Sequence, residues 1–229
     1  ANANLDLDLQ NDDASPGNDV LTVATNANIL LSGTGTATVK VSQNVTVNAG
    51  ASIETVNGDL LVEANQQATP TAGNFSGVNI TGTNSRLACT GSGTLTVKGK
   101  GGNSGSNIFG VWVHNAGRIT GGSGTVTVVG NGGSASGNFN YGVDVSGASS
   151  RITSSGGNVS VTGTGGGTGA SSNLNLGVEL ESAGTISAGG SGTVTVVGNG
   201  GSTSGNFNYG VRVSDASSSI TSSGGNVSV

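Results

Sequence analysis

Three arginines stand at matching places in the chain. Arg86, Arg118 and Arg151 each come directly before an aliphatic residue, Leu87, Ile119 and Ile152. A guanidinium presents a planar fork of donors that takes sulfate, phosphate or carboxylate oxygens two at a time. Stacked one above another, the three form a cationic stripe that can hold a sulfate, phosphate or uronate group. The plainer alternative is three solvated guanidiniums lying over their neighbours. Trp112 is the single Trp. An exposed indole stacks on a sugar or fills a partner's pocket; the alternative is a ring tucked under a loop such as the one ending at Phe109. Asp144, Glu179 and Glu181 are the nearest approach to an acid cluster. Three carboxylates are a start towards a weak calcium site, although they follow no ligand spacing. As like charges on neighbouring strands, Asp144 and Glu179 need compensation, which Arg212 can supply.

Catalytic motifs do not accompany these residues. His114 is the only His, and no Asp or Ser is spaced to pair with it. The sequence contains no G-x-S-x-G, no H-E-x-x-H and no P-loop. Glycine-rich runs such as 163–169 do not open a helix, as a phosphate cradle requires. The chain is therefore expected not to be an enzyme, and to need no cofactor beyond that weak calcium site. The enzymatic alternative is a carbohydrate-active β-helix using Asp144, Glu179 and Glu181.

Composition agrees. Charged residues make up 8% of the 229 and Gly supplies 44, against about 25% and about 7% in ordinary domains. Hydrophobic residues still reach 33% and net charge is only −5, which separates the chain from disordered sequences. Gly has no period of three, so collagen is excluded. One Cys, Cys89, permits no intramolecular disulfide. No apolar run is long enough to span a membrane as a helix, and the acidic balance argues against nucleic acid. The chain opens at Ala1 without a charged-then-apolar leader, as expected of a mature form or a fragment.

What must position these residues is a repeat. GSGTVTVVGNGGSASGNFNYGV, from Gly122 to Val143, returns with one substitution from Gly190 to Val211. A half-length unit lies inside it. A G-V-x-V element, with Ile80 and Leu180 in place of its last Val in two copies, recurs with its first Val at 78, 111, 143, 178 and 211, and Val45 fits the same column. A second column holds Ile53, Leu87, Ile119, Ile152, Ile186 and Ile220. A third holds Leu60, Leu95, Val126, Val159, Val194 and Val227. The pieces alternate apolar and polar residues, as half-buried strands do, and no segment has helical periodicity. Three strands per unit of about 33 residues predict an all-β, right-handed parallel β-helix (β-solenoid) of about seven coils with essentially no helix. A short first coil spans about 19–42, and further coils start near 43, 74, 107, 138, 173 and 206. Residues 1–18 fall outside the repeat and are expected to be an N-terminal cap, a linker or a donated strand. Residues 19–229 form one solenoid domain whose last coil is incomplete. That open end is expected either to continue into a longer array or to meet another subunit in a head-to-tail filament.

In this arrangement the middle residues of G-V-x-V, namely Thr46, Asn79, Trp112, Asp144, Glu179 and Arg212, point outward. The third face shows Thr-x-Thr pairs such as Thr94/Thr96 and Thr125/Thr127. Such ladders suit an ice-binding surface, but Asp59, Asn158/Ser160 and Asn226/Ser228 interrupt them, and Thr is a good exposed strand residue in any case. Asn74, Asn107, Asn138, Asn173 and Asn206, each followed by an apolar residue, are expected to stack as amides along the rod. Cys89 is expected to point inward.

The units AGRITGGSGTVTVVGNGG and SSRITSSGGNVSVTGTGGG resemble repeats of giant bacterial surface proteins, including filamentous-haemagglutinin-like adhesins and autotransporter passengers. The likeness covers about residues 19–229 and is one of composition and period. It implies secretion, a right-handed β-helix, and work as a rod, stalk or fibre on a cell surface. It carries no functional residue with it. The expected function is therefore an extracellular structural or adhesive solenoid with itself as partner, head-to-tail or as array neighbours. The alternative is a glycan-binding adhesin region using Trp112 or the arginines.

Overall fold

A computed structural model describes residues 2–10 and 17–229. Among these it contains strands and turns but no helix. The part of the N-terminal segment at 11–16 lies outside the described residues.

Each coil carries three short strands. The first has β2 (Val20–Val23), β3 (Asn28–Leu31) and β4 (Ala37–Val41), preceded by β1 (Leu5–Leu9). The second has β5 (Asn44–Val47), β6 (Ser52–Thr55) and β7 (Leu60–Ala64); the third, β8 (Val78–Thr81), β9 (Arg86–Cys89) and β10 (Leu95–Lys100). Then come β11 (Val111–His114), β12 (Arg118–Gly121) and β13 (Val126–Asn131), followed by β14 (Val143–Ser146), β15 (Arg151–Ser154) and β16 (Val159–Thr164). The sixth coil holds β17 (Val178–Glu181), β18 (Thr185–Ala188) and β19 (Val194–Asn199). The seventh holds β20 (Val211–Val213), β21 (Ser219–Ser222) and β22 (Val227–Ser228).

Corresponding strands of successive coils pair in parallel and build three faces. Face one runs from β2 to β20 and face two from β3 to β21, with seven strands each; face three runs from β1 to β22, with eight. The three columns read from the sequence are the registers themselves. Val78 faces Val111, 33 positions on, Ile119 faces Ile152, and Val126 faces Val159. One coil cannot enclose its Val and Ile side chains. Stacked coils can, and those columns form one continuous core, with Val111, Ile119 and Val126 fully buried. Burying each such side chain is worth roughly 1.5–3 kcal/mol, and the hydrogen bonds between coils satisfy the backbone on either side.

The expected strand LDLDL is β1. It pairs with β4 of its own chain, Leu5 facing Ala37 and Leu9 facing Val41, and Leu5, Leu7 and Leu9 pack on the core. It therefore covers the first coil on face three only. On the other faces β2 and β3 are the edge strands of their sheets.

The abundance of Gly has a cause beyond backbone handedness. Eight of the described glycines take positive φ, while Asn26, Asn84 and Asn115 do so without being Gly. Many of the rest are needed for space. Gly93, Gly124, Gly157 and Gly192 stack at the corner before face three, and a Cβ on Gly157 would fall far inside contact with the carbonyl oxygen of Gly124. A second ladder, Gly130, Gly163 and Gly198, presses on the carbonyls of Gly142, Gly177 and Gly210, where face three turns back towards face one.

Candidate functional site

Two groups of side chains stand out, one on each of two faces. The first is on the outer side of face one. The middle residues of G-V-x-V do lie on the outer side, as expected, but they are not all open to solvent: Asp144 is 2% exposed and Glu179 is fully buried. A second apolar cluster lies near them. Phe109, Tyr141 and Leu176, each two positions before a face-one strand, pack together with Trp112 and Leu174 against them.

Trp112 is half-buried. Its ring stacks on His114 at 3.6 Å, nearly parallel, and leans on Phe109 at 4.6 Å. The indole is thus largely engaged inside the protein, closer to the tucked alternative than to an open sugar platform. His114 Nε2 lies 3.0 Å from Asn79 Oδ1, an acceptor only, so Nε2 carries the proton. Nδ1 accepts from Asn115 Nδ2 at 2.9 Å. Burial pulls the imidazole pKa down to about 4, so the ring is neutral near pH 7.

Asp144 accepts a hydrogen bond from Ser146 Oγ at 3.2 Å. Its other oxygen, Oδ1, is buried with no donor. Burial, with the nearby Glu181 charge, holds this carboxyl well above the usual range. Glu179 is also raised by burial, but Arg212 Nε donates to it at 2.7 Å and Ser214 Oγ at 2.8 Å. Burial and the Glu179 charge likewise raise the Tyr141 hydroxyl. Arg212 therefore compensates Glu179 as expected, whereas Asp144 forms no ion pair among the described residues. Asp144 faces Glu179 and Ser146 faces Glu181 across adjacent strands. Among the described residues no group of three His, Cys, Asp or Glu side chains is arranged to hold a metal ion.

The second group is on face two. Arg86, Arg118 and Arg151 are direct register partners on β9, β12 and β15, as their spacing required. They are not equivalent. Arg86 Nη2 donates to Glu54 Oε1, one coil back, at 2.6 Å. Arg118 and Arg151 form no ion pair among the described residues, and the Nε of each is buried without an acceptor. Burial first, and then the Arg118 charge, lower the Arg151 pKa. Beside Arg151 lies a shallow groove of about 430 Å³ lined by Thr120, Thr153, Ser154, Ser155, Thr185 and Ser187. Thr153 and Ser187 are linked through their hydroxyls at 2.9 Å.

The amide stacking expected of Asn138, Asn173 and Asn206 does occur, but as side-chain oxygens accepting from backbone: Asn173 N donates to Asn138 Oδ1 at 2.8 Å. The buried ladder is the next Asn along, which the sequence reading missed. Asn140 Nδ2 donates to Asn175 Oδ1 at 3.1 Å, and Asn175 Nδ2 to Asn208 Oδ1 at 3.3 Å. Its signal was present as N-x-N in NFNY, NLNL and NFNY. Cys89 is buried as expected, its Sγ 3.1 Å from the Gly93 carbonyl.

Comparison with known proteins adds no relative: no family model, curated protein or solved structure matches this chain.

Proposed function

We propose that the chain is a shaft segment of an extracellular bacterial surface protein, a rod, stalk or fibre whose work is mechanical. The observation that most supports this is unbroken pairing: every coil from β2 to β22 meets the next in parallel register on all three faces. Backbone hydrogen bonds of three faces then share any load at each junction, and outward side chains are held one strand spacing apart, about 4.8 Å. The likeness to haemagglutinin-like and autotransporter repeats supports secretion. Seven Lys and Arg in 229 residues leave few sites for trypsin-like proteases. Val213, Val227 and Val229 are 47%, 45% and 70% exposed on the last coil, a surface on which a further coil or a second copy would stack to extend the rod.

Antibodies raised against the purified solenoid test this on the cells that make it. Labelling of intact cells, with rods visible in negative stain, is the expected result. Labelling only after permeabilisation would overturn surface display. Discrete single particles at micromolar concentration would overturn the filament.

A further inference from the structure

We propose that Arg151, with the hydroxyl-lined groove beside it and Arg118 as its register partner one coil before, forms a binding site for an oxyanion carried on a polyhydroxylated chain: an acidic glycan bearing carboxylate or sulfate groups. The inference goes beyond the rod itself.

Four observations converge. Two guanidiniums sit on directly paired residues of adjacent strands, where like charges repel unless something lies between or beside them. The third arginine of the row shows how this fold settles such a charge, since Arg86 is closed by Glu54 at 2.6 Å. The residue that occupies Glu54's place one coil before Arg118 is Ala88, and before Arg151 it is Thr120. The carboxylate is thus absent where the groove begins. Both Nε–H groups are buried and unmet while each side chain is only half-buried, so neither guanidinium is satisfied within the protein and its Nη donors are what an oxyanion meets. Finally, the lining of the groove beyond Arg151 is almost wholly hydroxyl: Thr120, Thr153, Ser154, Ser155, Thr185 and Ser187. That surface suits a polyol rather than an apolar ligand. A net charge of −5 disfavours long polyanions in general, so recognition has to come from this local pair.

The fold supplies its own test. Thr120→Glu puts a carboxylate in the same relation to Arg151 that Glu54 has to Arg86, and closes the site without removing an arginine. Binding of the purified chain is measured by calorimetry at low salt with polygalacturonate, dextran sulfate and neutral dextran. The expected result is binding to one or both acidic polymers and none to neutral dextran. Thr120→Glu and Arg151→Gln should each weaken it about tenfold or more, and Arg86→Gln should leave it within about twofold, its guanidinium being already occupied. Polygalacturonate alone would assign carboxylate as the anion, and dextran sulfate alone would assign sulfate. A rise in unfolding temperature with the bound polymer, lost in Thr120→Glu, gives the same answer should Arg151→Gln fail to fold. Binding unchanged in Thr120→Glu, equal binding of neutral dextran, or no binding of either acidic polymer at millimolar sugar would overturn the site. Duplex DNA bound with the same dependence on these variants would overturn the glycan assignment. The measurement does not depend on where the rod is displayed, so its failure would leave the proposed rod standing.

Discussion

Replacing Asp144 with Asn should stabilise the rod, and by more as pH rises. The carboxyl is 2% exposed, has one oxygen without a donor, and lies near Glu181 and Glu179. Its folded pKa is raised, so the folded state binds this proton more tightly than the unfolded chain, whose carboxyl titrates near 3.9. Asp144 therefore gives its full contribution below about pH 4, and that contribution is lost as pH climbs towards the folded value. Within the window the loss runs at up to about 1.4 kcal/mol per pH unit. Asn keeps the shape and the Ser146 contact but cannot ionise. Removing an unmet buried charge of this kind is worth about 1–3 kcal/mol. The assay is urea unfolding of wild type and Asp144→Asn at pH 5 and pH 8. His114, whose pKa is lowered to about 4, changes stability in the opposite sense, lost as pH falls from about 6.5 through 4. It is present in both proteins and cancels in the difference. The advantage of the variant should be small at pH 5 and larger at pH 8. An advantage independent of pH, or a variant less stable at pH 8, would refute the reasoning.

Further outcomes follow from packing. Gly157→Ala places a methyl against the Gly124 carbonyl, whereas at Gly156 the nearest atom to an added Cβ is 3.9 Å away. In thermal melts the first should unfold earlier by several degrees and the second should match wild type; equal melts would remove the space argument for the glycine ladder. Asn175→Ala deletes the central amide of the buried ladder between Asn140 and Asn208 and should cost about 1–3 kcal/mol in denaturant unfolding. A cost near zero would show the ladder to be idle. Ile119→Ala, at a fully buried column position, should cost about 2–5 kcal/mol, and a smaller loss would mean that neighbouring coils close the cavity.

The architecture was legible because its signal is apolar and repeated. Val111, Ile119 and Val126 recur in every later unit, and only superposed coils bury all of them. The stacking of Arg86, Arg118 and Arg151 came with it, since register fixes neighbours. What was not legible lies in the third dimension. The burial of Asp144 and Glu179 and the packing of Phe109, Tyr141 and Leu176 into one cluster depend on side-chain directions that the strand pattern does not state. The difference between Arg86 and the other two arginines rests on Glu54, 32 positions away, on a strand aligned by its aliphatic residues alone. The role of Gly at crossings such as Gly130 against Gly142 depends on how closely two segments approach, which composition cannot report. Leu61, the register partner of both Thr38 and Thr96, interrupts the outer Thr row more than the sequence pattern had suggested.

The aliphatic columns are buried only if the coils lie directly over one another. Face two offers an outward column for measuring this, in which Leu30, Thr120, Thr153 and Thr221 stand on the first, fourth, fifth and seventh coils. Nitroxides attached at Thr221 and, in turn, at Thr153, Thr120 and Leu30, in a Cys89→Ala background, give three dipolar distances. Stacked coils require the strand separation to grow by about 4.8 Å per coil, to roughly 10, 14 and 29 Å. Distances that fail to rise in that order, or a Leu30–Thr221 separation as short as that of Thr153–Thr221, would contradict it.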